Sequence, residues 1–531
     1  MQNTVNLIPL PERILHEDGQ FIIGEKSCIL HDPVFTRVAQ NLANLINRAS
    51  TFVLPVKATS DNIDLPSGIK FLLKDSVHSE GYELLVTKSG MIIAASQPAG
   101  AFYAVQTVRQ LLDPAIDDPA ISPKRDSWEV PCIEITDKPR FPWRGFMLDV
   151  GRHFFGKEII KQILDVMAAI KMNVFHWHLT DDQGWRIEIK KYPRLVQVGS
   201  RRKNTQVGGY ISPMRSGKPH EGHYTQDDAR EIVDYARDRF ITVVPEIEFP
   251  GHCTAALAAY PEFSCTGGPF DVPTTFAIKK DVLCIGKEQS FDFIRQIFDE
   301  ICTVFPSKII HVGGDETPTH RWKRCPDCKA RVRNEGLHSV SELQPYFTSR
   351  IGKLLAERGR SLIGWNEILG AKLAADDIVQ FWTGRTKKIL PHLAKGRKFV
   401  MSPFFNVYID HDYVLLPLDM VYGFDPVPKG LPADQQPNVI GIEVPLWTEW
   451  VRNTRRLFWQ LFPRLLAVAE TGWTRGDLKD YNSFKTRVAS FYPRLERNGI
   501  GAAPLGKVER NILRKPFSIL HLFFEPRIPE A

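Results

Sequence analysis

Residues 145–179 read GFMLDVGRHFFGKEIIKQILDVMAAIKMNVFHWHL. Two apolar runs, GFMLDV from Gly145 and NVFHWHL from Asn173, flank a stretch from Glu158 to Lys171 whose apolar residues return at helical spacing. Strand, loop, amphipathic helix, strand is the unit of a parallel sheet, because a parallel neighbour is reached only through a long crossover. Working outward, the unit recurs. Further apolar runs are ITVVPEIE (from Ile241), KIIHVGG (Lys308), SLIGWN (Ser361), DIVQFW (Asp377), KFVMSPF (Lys398) and NVIGIEVPLW (Asn438), with helical stretches at 226–239, 291–305 and 340–358 among them. Near-continuous apolar strands are what a sheet buried on both faces requires, and eight such units in about 360 residues suit an α/β fold of the (β/α)8 barrel type with insertions. A doubly wound open sheet is the alternative.

Upstream the pattern changes. GYELLVTKSGMIIAAS (Gly81–Ser96) predicts two strands around a Lys-Ser-Gly turn, and Ala99–Leu112 a helix with Phe102, Val105, Val108 and Leu111 on one face. These outline a small α+β domain over residues 1–138. The stretch Leu111–Pro131 reads as a linker, because Pro114, Pro119 and Pro123 withhold backbone donors and favour extended chain. The barrel is placed at 139–505. The closing segment, 506–531, contains RNILRKPFSILHLFF (Arg510–Phe524) and is expected to pack back onto the barrel, with a dimer contact as the alternative.

Composition narrows the function classes. The chain has 531 residues, of which 43% are hydrophobic and 24% charged, values of a soluble globular protein with a sizeable core. Sixty-eight basic against 61 acidic side chains leave +7, too dilute to indicate a nucleic-acid partner. No run approaches the ~20 apolar residues of a membrane span. The start, MQNTVNLIPLPERI, has no basic leader before an apolar stretch, so the chain as given reads as cytoplasmic, with secretion or a periplasmic location open if a leader was removed. Neither GxGxxG nor GxxxxGK[ST] follows an expected strand, and no cofactor is called for.

In a parallel barrel, residues at the carboxyl ends of the strands converge on one mouth. The eight expected ends carry, in order, Asp149, Arg152 and His153; Asp181, Asp182 and Trp185; Glu246, Glu248 and His252; Asp315 and Glu316; Trp365, Asn366 and Glu367; Trp382; Tyr408 and Asp410; Trp447 and Glu449. Any one of these is unremarkable for a polar loop. Together they place four of only 11 tryptophans among carboxylates. Indole faces pack on the C–H faces of pyranose rings, carboxylates and Arg pair with hydroxyls, and glycosidic cleavage needs a carboxyl to protonate the leaving oxygen. In HVGGDE (His311–Glu316), neighbouring side chains of a regular strand would point to opposite faces. Asp315 and Glu316 share a site only where the chain leaves the pleat, which Gly313 and Gly314 permit. An adjacent pair does not readily flank a sugar as separate acid and nucleophile, which points to the substrate-assisted exception.

These residues carry a resemblance. RGFMLDVGRHFF, HWHLTDDQGWRIEIKKYPRL, VPEIEFPGH, HVGGDE, GWNEI and PLWTEW, with LIPLP (Leu7–Pro11) upstream, resemble the family 20 glycoside hydrolases, β-N-acetylhexosaminidases, over most of the chain. The resemblance implies an exo-acting retaining hydrolase that removes terminal β-linked GlcNAc or GalNAc from glycans or glycoconjugates, as a monomer or homodimer. It implies Glu316 as general acid and then base, buried against indole beside Asp315. Asp315 would hold the acetamido nitrogen, and Tyr408 would donate to the acetamido oxygen. Trp365, Trp382 and Trp447 would wall the pocket, Arg152, Asp410 and Glu449 would bind hydroxyls, and Asp181 would support the mouth. His252 resembles the histidine beside the acid, whose usual aspartate partner is replaced here by Glu248. A disaccharide-releasing enzyme of the same family and a non-catalytic sugar binder are the alternatives.

Two metal-like patterns are set aside. His176 and His178 of HWH share a strand face but lack an HExxH-type partner. Cys325-Pro-Asp-Cys328 has CxxC spacing, yet a structural zinc needs two further ligands, and a lone pair reads as redox-sensitive or a local disulfide. No metal is expected. Cys265 and Cys284 resemble a loop disulfide of bacterial family members.

Overall fold

The computed structural model describes residues 5–59, 68–118 and 120–510. Pro119 and the chain from residue 511, which holds nearly all of the expected closing segment, lie outside the described residues. Packing divides the chain into two units: Met1–Arg144 with Leu164–Asn173 and Phe462–Lys507, and Gly145–Ile163 with Val174–Leu461 and Val508–Ala531.

The first unit holds a seven-stranded sheet: β1 (Arg13–Gly24), β2 (Cys28–His31), β3 (Val56–Ala58), β4 (Gly68–Leu73), β5 (Tyr82–Thr87), β6 (Gly90–Ala95) and β7 (Ser127–Asp137). Their order is β1-β7-β5-β6-β4-β2-β3. Helices α1 (Thr36–Ala49) and α2 (Pro98–Leu111) pack on it. The expected hairpin is β5–β6, antiparallel from Glu83 opposite Ala94 to Thr87 opposite Gly90. The linker reading of Leu111–Pro131 is corrected in its second half. Ser127–Pro131 opens β7, an interior strand bonded to β1 and β5, with Trp128, Val130, Cys132, Ile133 and Ile135 buried. Pro131 is tolerated there because it stands opposite Gln20, where the register against β1 slips between His16 and Gln20.

The second unit is a closed parallel barrel. Its strands are β8 (Trp143–Asp149), β9 (Val174–His178), β10 (Thr242–Glu246), β11 (Ile309–His311), β12 (Ser361–Trp365), β13 (Ile378–Phe381), β14 (Lys398–Met401) and β15 (Val439–Leu446). Each falls within one of the eight expected runs or within two residues of its start. Helices α3 (Lys157–Ala169), α4 (Gln226–Arg237), α5 (Glu288–Val304), α6 (Pro326–Asn334) and α7 (Leu343–Ala356) occupy crossovers. The start of α4 is fixed by a capping box: Thr225 Oγ1 accepts from Asp228 N at 3.0 Å, and Asp228 Oδ2 accepts from Thr225 N at 3.1 Å. Register sets the mouth. Asp149 pairs with His178, His178 with Glu246, and Glu246 with His311, so four polar residues stand at one level of the barrel's carboxyl end. No helix among the described residues is long and apolar enough to cross a membrane.

Candidate active site

Just past β11 the chain turns sharply. Gly313 and Gly314 have φ of 63° and 95°, and Glu316 itself sits at φ 44°. A non-glycine residue in that region costs about 1–3 kcal/mol and is retained where surroundings over-determine it. The turn does what the two glycines were expected to permit. An oxygen of Asp315, an oxygen of Glu316 and a nitrogen of His252 lie within 4.8 Å of one another. A Cβ on Gly313 would stand 1.5 Å from Glu248 Oε2, so only glycine fits. Gly313→Ala is accordingly expected to lower kcat/KM at least ~10-fold by displacing the acid pair, with the far-ultraviolet circular dichroism unchanged.

His252 lies between two carboxylate pairs. Its Nδ1 is 3.5 Å from Asp181 Oδ1 and 3.4 Å from Asp182 Oδ2, and its Nε2 is 3.7 Å from Asp315 Oδ2 and 3.6 Å from Glu316 Oε2. These are ion-pair separations, too long for hydrogen bonds. Burial opposes the charged ring, but Asp181 and Asp315 outweigh it and hold His252 well above the ordinary histidine range. Burial likewise pushes Asp315 up to about 6, with His252 opposing and Glu316 reinforcing. The side chain of Asp315 is 14% exposed and that of Glu316 36%. The burial expected at Glu316 is therefore found at Asp315.

The pairing of His252 with Glu248 is corrected. The carboxylates within ion-pair distance of the ring are those just named, and Asp181 and Asp182 occupy the partner position. Glu248 Oε1 instead accepts from Gly314 N at 2.9 Å, its side chain filling the slot left by the missing Cβ of Gly313. Burial, then Asp315 and Glu246, hold Glu248 well above its ordinary value of 4.5. The native state thus keeps a proton that an unfolded Glu loses, and stability falls as pH rises above that ordinary value. Glu248→Gln copies the neutral carboxyl. It is expected to retain near-wild-type kcat/KM and to flatten the fall in Tm as pH rises above that ordinary value, whereas an essential relay carboxylate would lose activity on the same change.

Aromatic rings form a continuous wall. Ring centroids run from Trp365 to Trp447 at 5.8 Å, on to Tyr408 at 6.4 Å, and from Tyr408 to Trp382 at 6.3 Å. Each of two indoles is anchored by its N–H: Trp365 Nε1 donates to Glu246 Oε1 at 2.9 Å, and Trp382 Nε1 to Glu367 Oε2 at 3.0 Å. Burial raises the Tyr408 phenol well above its ordinary range, and Asp315 and Asp410 raise it further, so its O–H remains a donor. Burial and Asp315 push Glu367 up to about 7.

Beside this wall Arg152 stands 4.8 Å over the Trp447 ring. Its Nη1 lies 2.8 Å from Asp181 Oδ2 and 3.5 Å from Asp149 Oδ2, and its Nη2 4.0 Å from Glu449 Oε1. Burial raises Glu449, partly offset by Arg152. Asp410 follows Tyr408, and its backbone carbonyl accepts from Gln460 Nε2 at 2.9 Å. Below, Asp181 Oδ2 meets His178 Nε2 at 2.9 Å, and Glu246 gathers His176, His178 and His311. Despite burial, those histidines hold Glu246 well below the carboxylate range. His176 Nδ1 is taken by Glu443 Oε1 at 2.7 Å, so the HWH pair works within a carboxylate network.

The structure thus brings Asp315, Glu316, His252 and Asp181 together, and Tyr408 into the tryptophan wall. The sequence alone assigns no role to three contributors. Asp182, held by Thr254 N at 3.0 Å, and Glu367 both stand at expected strand ends. Tyr210, whose hydroxyl stands 3.5 Å from Glu449 Oε1, lies in a loop far from any strand end, where a strand-end search does not reach.

A closed parallel barrel whose carboxyl ends gather an acid pair, a bridging histidine and three indoles has the architecture of a glycoside hydrolase. The family model of the glycosyl hydrolase family 20 catalytic domain matches residues 141–476, and that of the family's domain 2 matches residues 4–138. The chain belongs to glycosyl hydrolase family 20. It is 40% identical over 515 residues to a β-hexosaminidase of Porphyromonas gingivalis, covering 93% of this chain and 64% of that protein, so it spans just under two thirds of this relative. A β-hexosaminidase of Akkermansia muciniphila is 33% identical over 429 residues, covering 78% of this chain and 83% of the relative. Among solved structures, the β-N-acetylhexosaminidase of Streptomyces coelicolor A3(2) superposes with a TM-score of 0.82 at 31% identity, covering 96% of this chain and 99% of that one. The exo β-N-acetylglucosaminidase of Vibrio harveyi, in complex with N-acetylglucosamine, gives 0.82 at 28% identity, covering 94% and 78%.

Proposed function

We propose that the protein is an exo-acting β-N-acetylhexosaminidase that cleaves terminal β-linked GlcNAc or GalNAc with help from the substrate's own acetamide. The observation that carries this reading is the sharing of His252 Nε2 by Asp315 and Glu316. An acid and a protein nucleophile must stand on opposite sides of the bond, about 5 to 5.5 Å apart, whereas neighbours on one histidine stand on the same side. The acetamido oxygen then supplies the attack on the anomeric carbon. Glu316 protonates the departing oxygen and later removes a proton from the incoming water. Asp315 accepts from the acetamido N–H and balances the charge of the oxazolinium ring, and Tyr408 donates to the acetamido oxygen and fixes its line of attack. The indoles wall the sugar and its methyl group. Arg152, Asp410 and Glu449 take the ring hydroxyls, with Tyr210 orienting Glu449. Asp181 and Asp182 keep His252 charged, and His252 steadies both acids.

Similarity to the named hexosaminidases supports the substrate class, and the Vibrio harveyi enzyme's N-acetylglucosamine complex supports the product. A chromogenic N-acetyl-β-glucosaminide assayed beside the plain β-glucoside tests the reading. Turnover of the first alone is expected; equal turnover of both would reject a role for the acetamide, and turnover of neither would reject the exo-hexosaminidase assignment.

A further inference from the structure

Away from the acid pair, four sulfur atoms converge. Cys265 Sγ lies 3.8 Å from Cys328 Sγ, and Cys284 Sγ lies 3.7 Å from both Cys325 Sγ and Cys328 Sγ. All four are within 4.8 Å of one another; three of the residues are buried and Cys265 is half-buried. None of the eight cysteines is joined to another by a disulfide, so the Cys265–Cys284 disulfide implied by resemblance is corrected. The CxxC pair thus has two further thiols beside it. They come from 41 and 63 residues upstream, too far for spacing to reveal.

The separations are informative. A zinc–sulfur bond of about 2.3 Å at tetrahedral angles places neighbouring sulfurs about 3.8 Å apart, whereas a disulfide places them at about 2.05 Å. Backbone geometry holds the arrangement. Cys284 N donates to Phe263 O at 2.8 Å next to the bridge between Ser264 and Leu283, fixing the first two cysteines. Gly286 meets the CxxC turn so closely that a Cβ there would lie 2.3 Å from Cys328 N. Cys325 is the N-cap of α6 and Cys328 lies in its first turn, where the helix dipole favours negative charge. Two basic side chains hold the flanking backbone: Lys287 Nζ donates to Ser264 O at 2.9 Å, and Arg331 Nη2 to Gly286 O at 3.3 Å.

We propose that Cys265, Cys284, Cys325 and Cys328 bind one zinc ion as a closed structural tetrathiolate site. Binding forms four Zn–S bonds and releases the four thiol protons to solvent, leaving the site with two net negative charges. With no open coordination position, the ion performs no catalysis. It clamps the loop after β10 to the segment after β11 that follows Asp315 and Glu316. Further bonds run along the same seam: Trp322 Nε1 to Leu283 O at 2.9 Å and Arg321 Nε to Asp281 Oδ1 at 2.6 Å. The clamped loop also supports the substrate side, since Thr275 O accepts from Gln183 Nε2 at 3.1 Å, and Gln183 Oε1 in turn accepts from Arg152 Nε at 3.3 Å.

Elemental analysis of the untagged full chain, after dialysis against a chelator, tests this directly. One zinc per chain is expected, released stoichiometrically as four thiols are titrated with a mercurial. Cobalt exchanged into the site is expected to give the visible d–d bands and sulfur-to-metal charge transfer of tetrahedral thiolate ligation. Cys265→Ser is expected to lose zinc to chelator at least ~10-fold faster and to melt at lower temperature, while Cys302→Ser, outside the cluster, keeps its zinc. Metal-free protein with thiols freely alkylated, iron in place of zinc, or disulfides among the four cysteines would each overturn the proposal, and the wild-type measurement decides even if Cys265→Ser fails to fold.

Discussion

Glu316→Gln is expected to lower kcat on an N-acetyl-β-glucosaminide with an alkyl or sugar leaving group by about a hundredfold or more while leaving product binding within a few-fold of wild type. The amide fills the same space beside His252 but donates no proton to the departing oxygen. The loss should scale with leaving-group basicity: large for an alkyl or sugar leaving group and small for a dinitrophenolate, which departs unaided. That pattern separates loss of an acid from loss of shape, because a misfolded site would fail on all leaving groups alike. A uniform loss, or a near-wild-type rate on a sugar leaving group, would remove Glu316 from the role.

Asp315→Asn is expected to cost a comparable factor, about 10² to 10³, for a different reason. The carboxylate is placed to accept from the acetamido N–H and to face the positive charge that develops as the ring closes. An asparagine brings no charge and can present its NH₂ instead. The pH profile carries a second signature. Burial raises the Asp315 carboxyl to about 6, so the charged form is complete only above that value and kcat/KM falls as pH drops through about 6. In Asp315→Asn this acid limb should vanish or move. An unchanged limb at about 6 would assign it to another group.

The strands were legible because burial on both faces leaves an apolar run with no alternation to confuse it, and each of the eight barrel strands falls where such a run stands. The acid pair was legible for a local reason: two glycines announce a break in the pleat, and the φ values of Gly313 and Gly314 are of that kind. What sequence did not reveal is long-range. Glu248, two residues beyond Glu246, has already left β10, and the space under Gly313 that receives it exists only once β11 is in place. The histidine's carboxylates at Asp181 and Asp182 come from the loop that follows β9. Prolines at 114 and 123 suggested a linker, yet the chain immediately re-enters the first sheet through Trp128 and Val130. The four cysteines meet only because two barrel loops fold against each other.

Varying the acetamide alone tests the central claim most directly. In a series of aryl β-glucosaminides whose N-acyl group carries zero, one, two or three fluorines, shape changes little while the nucleophilicity of the carbonyl oxygen falls stepwise. If the substrate's own amide makes the first bond to the anomeric carbon, log kcat/KM should decline steeply and monotonically with each fluorine. A flat series, or a glycosyl adduct captured on a side chain of the protein, would contradict it.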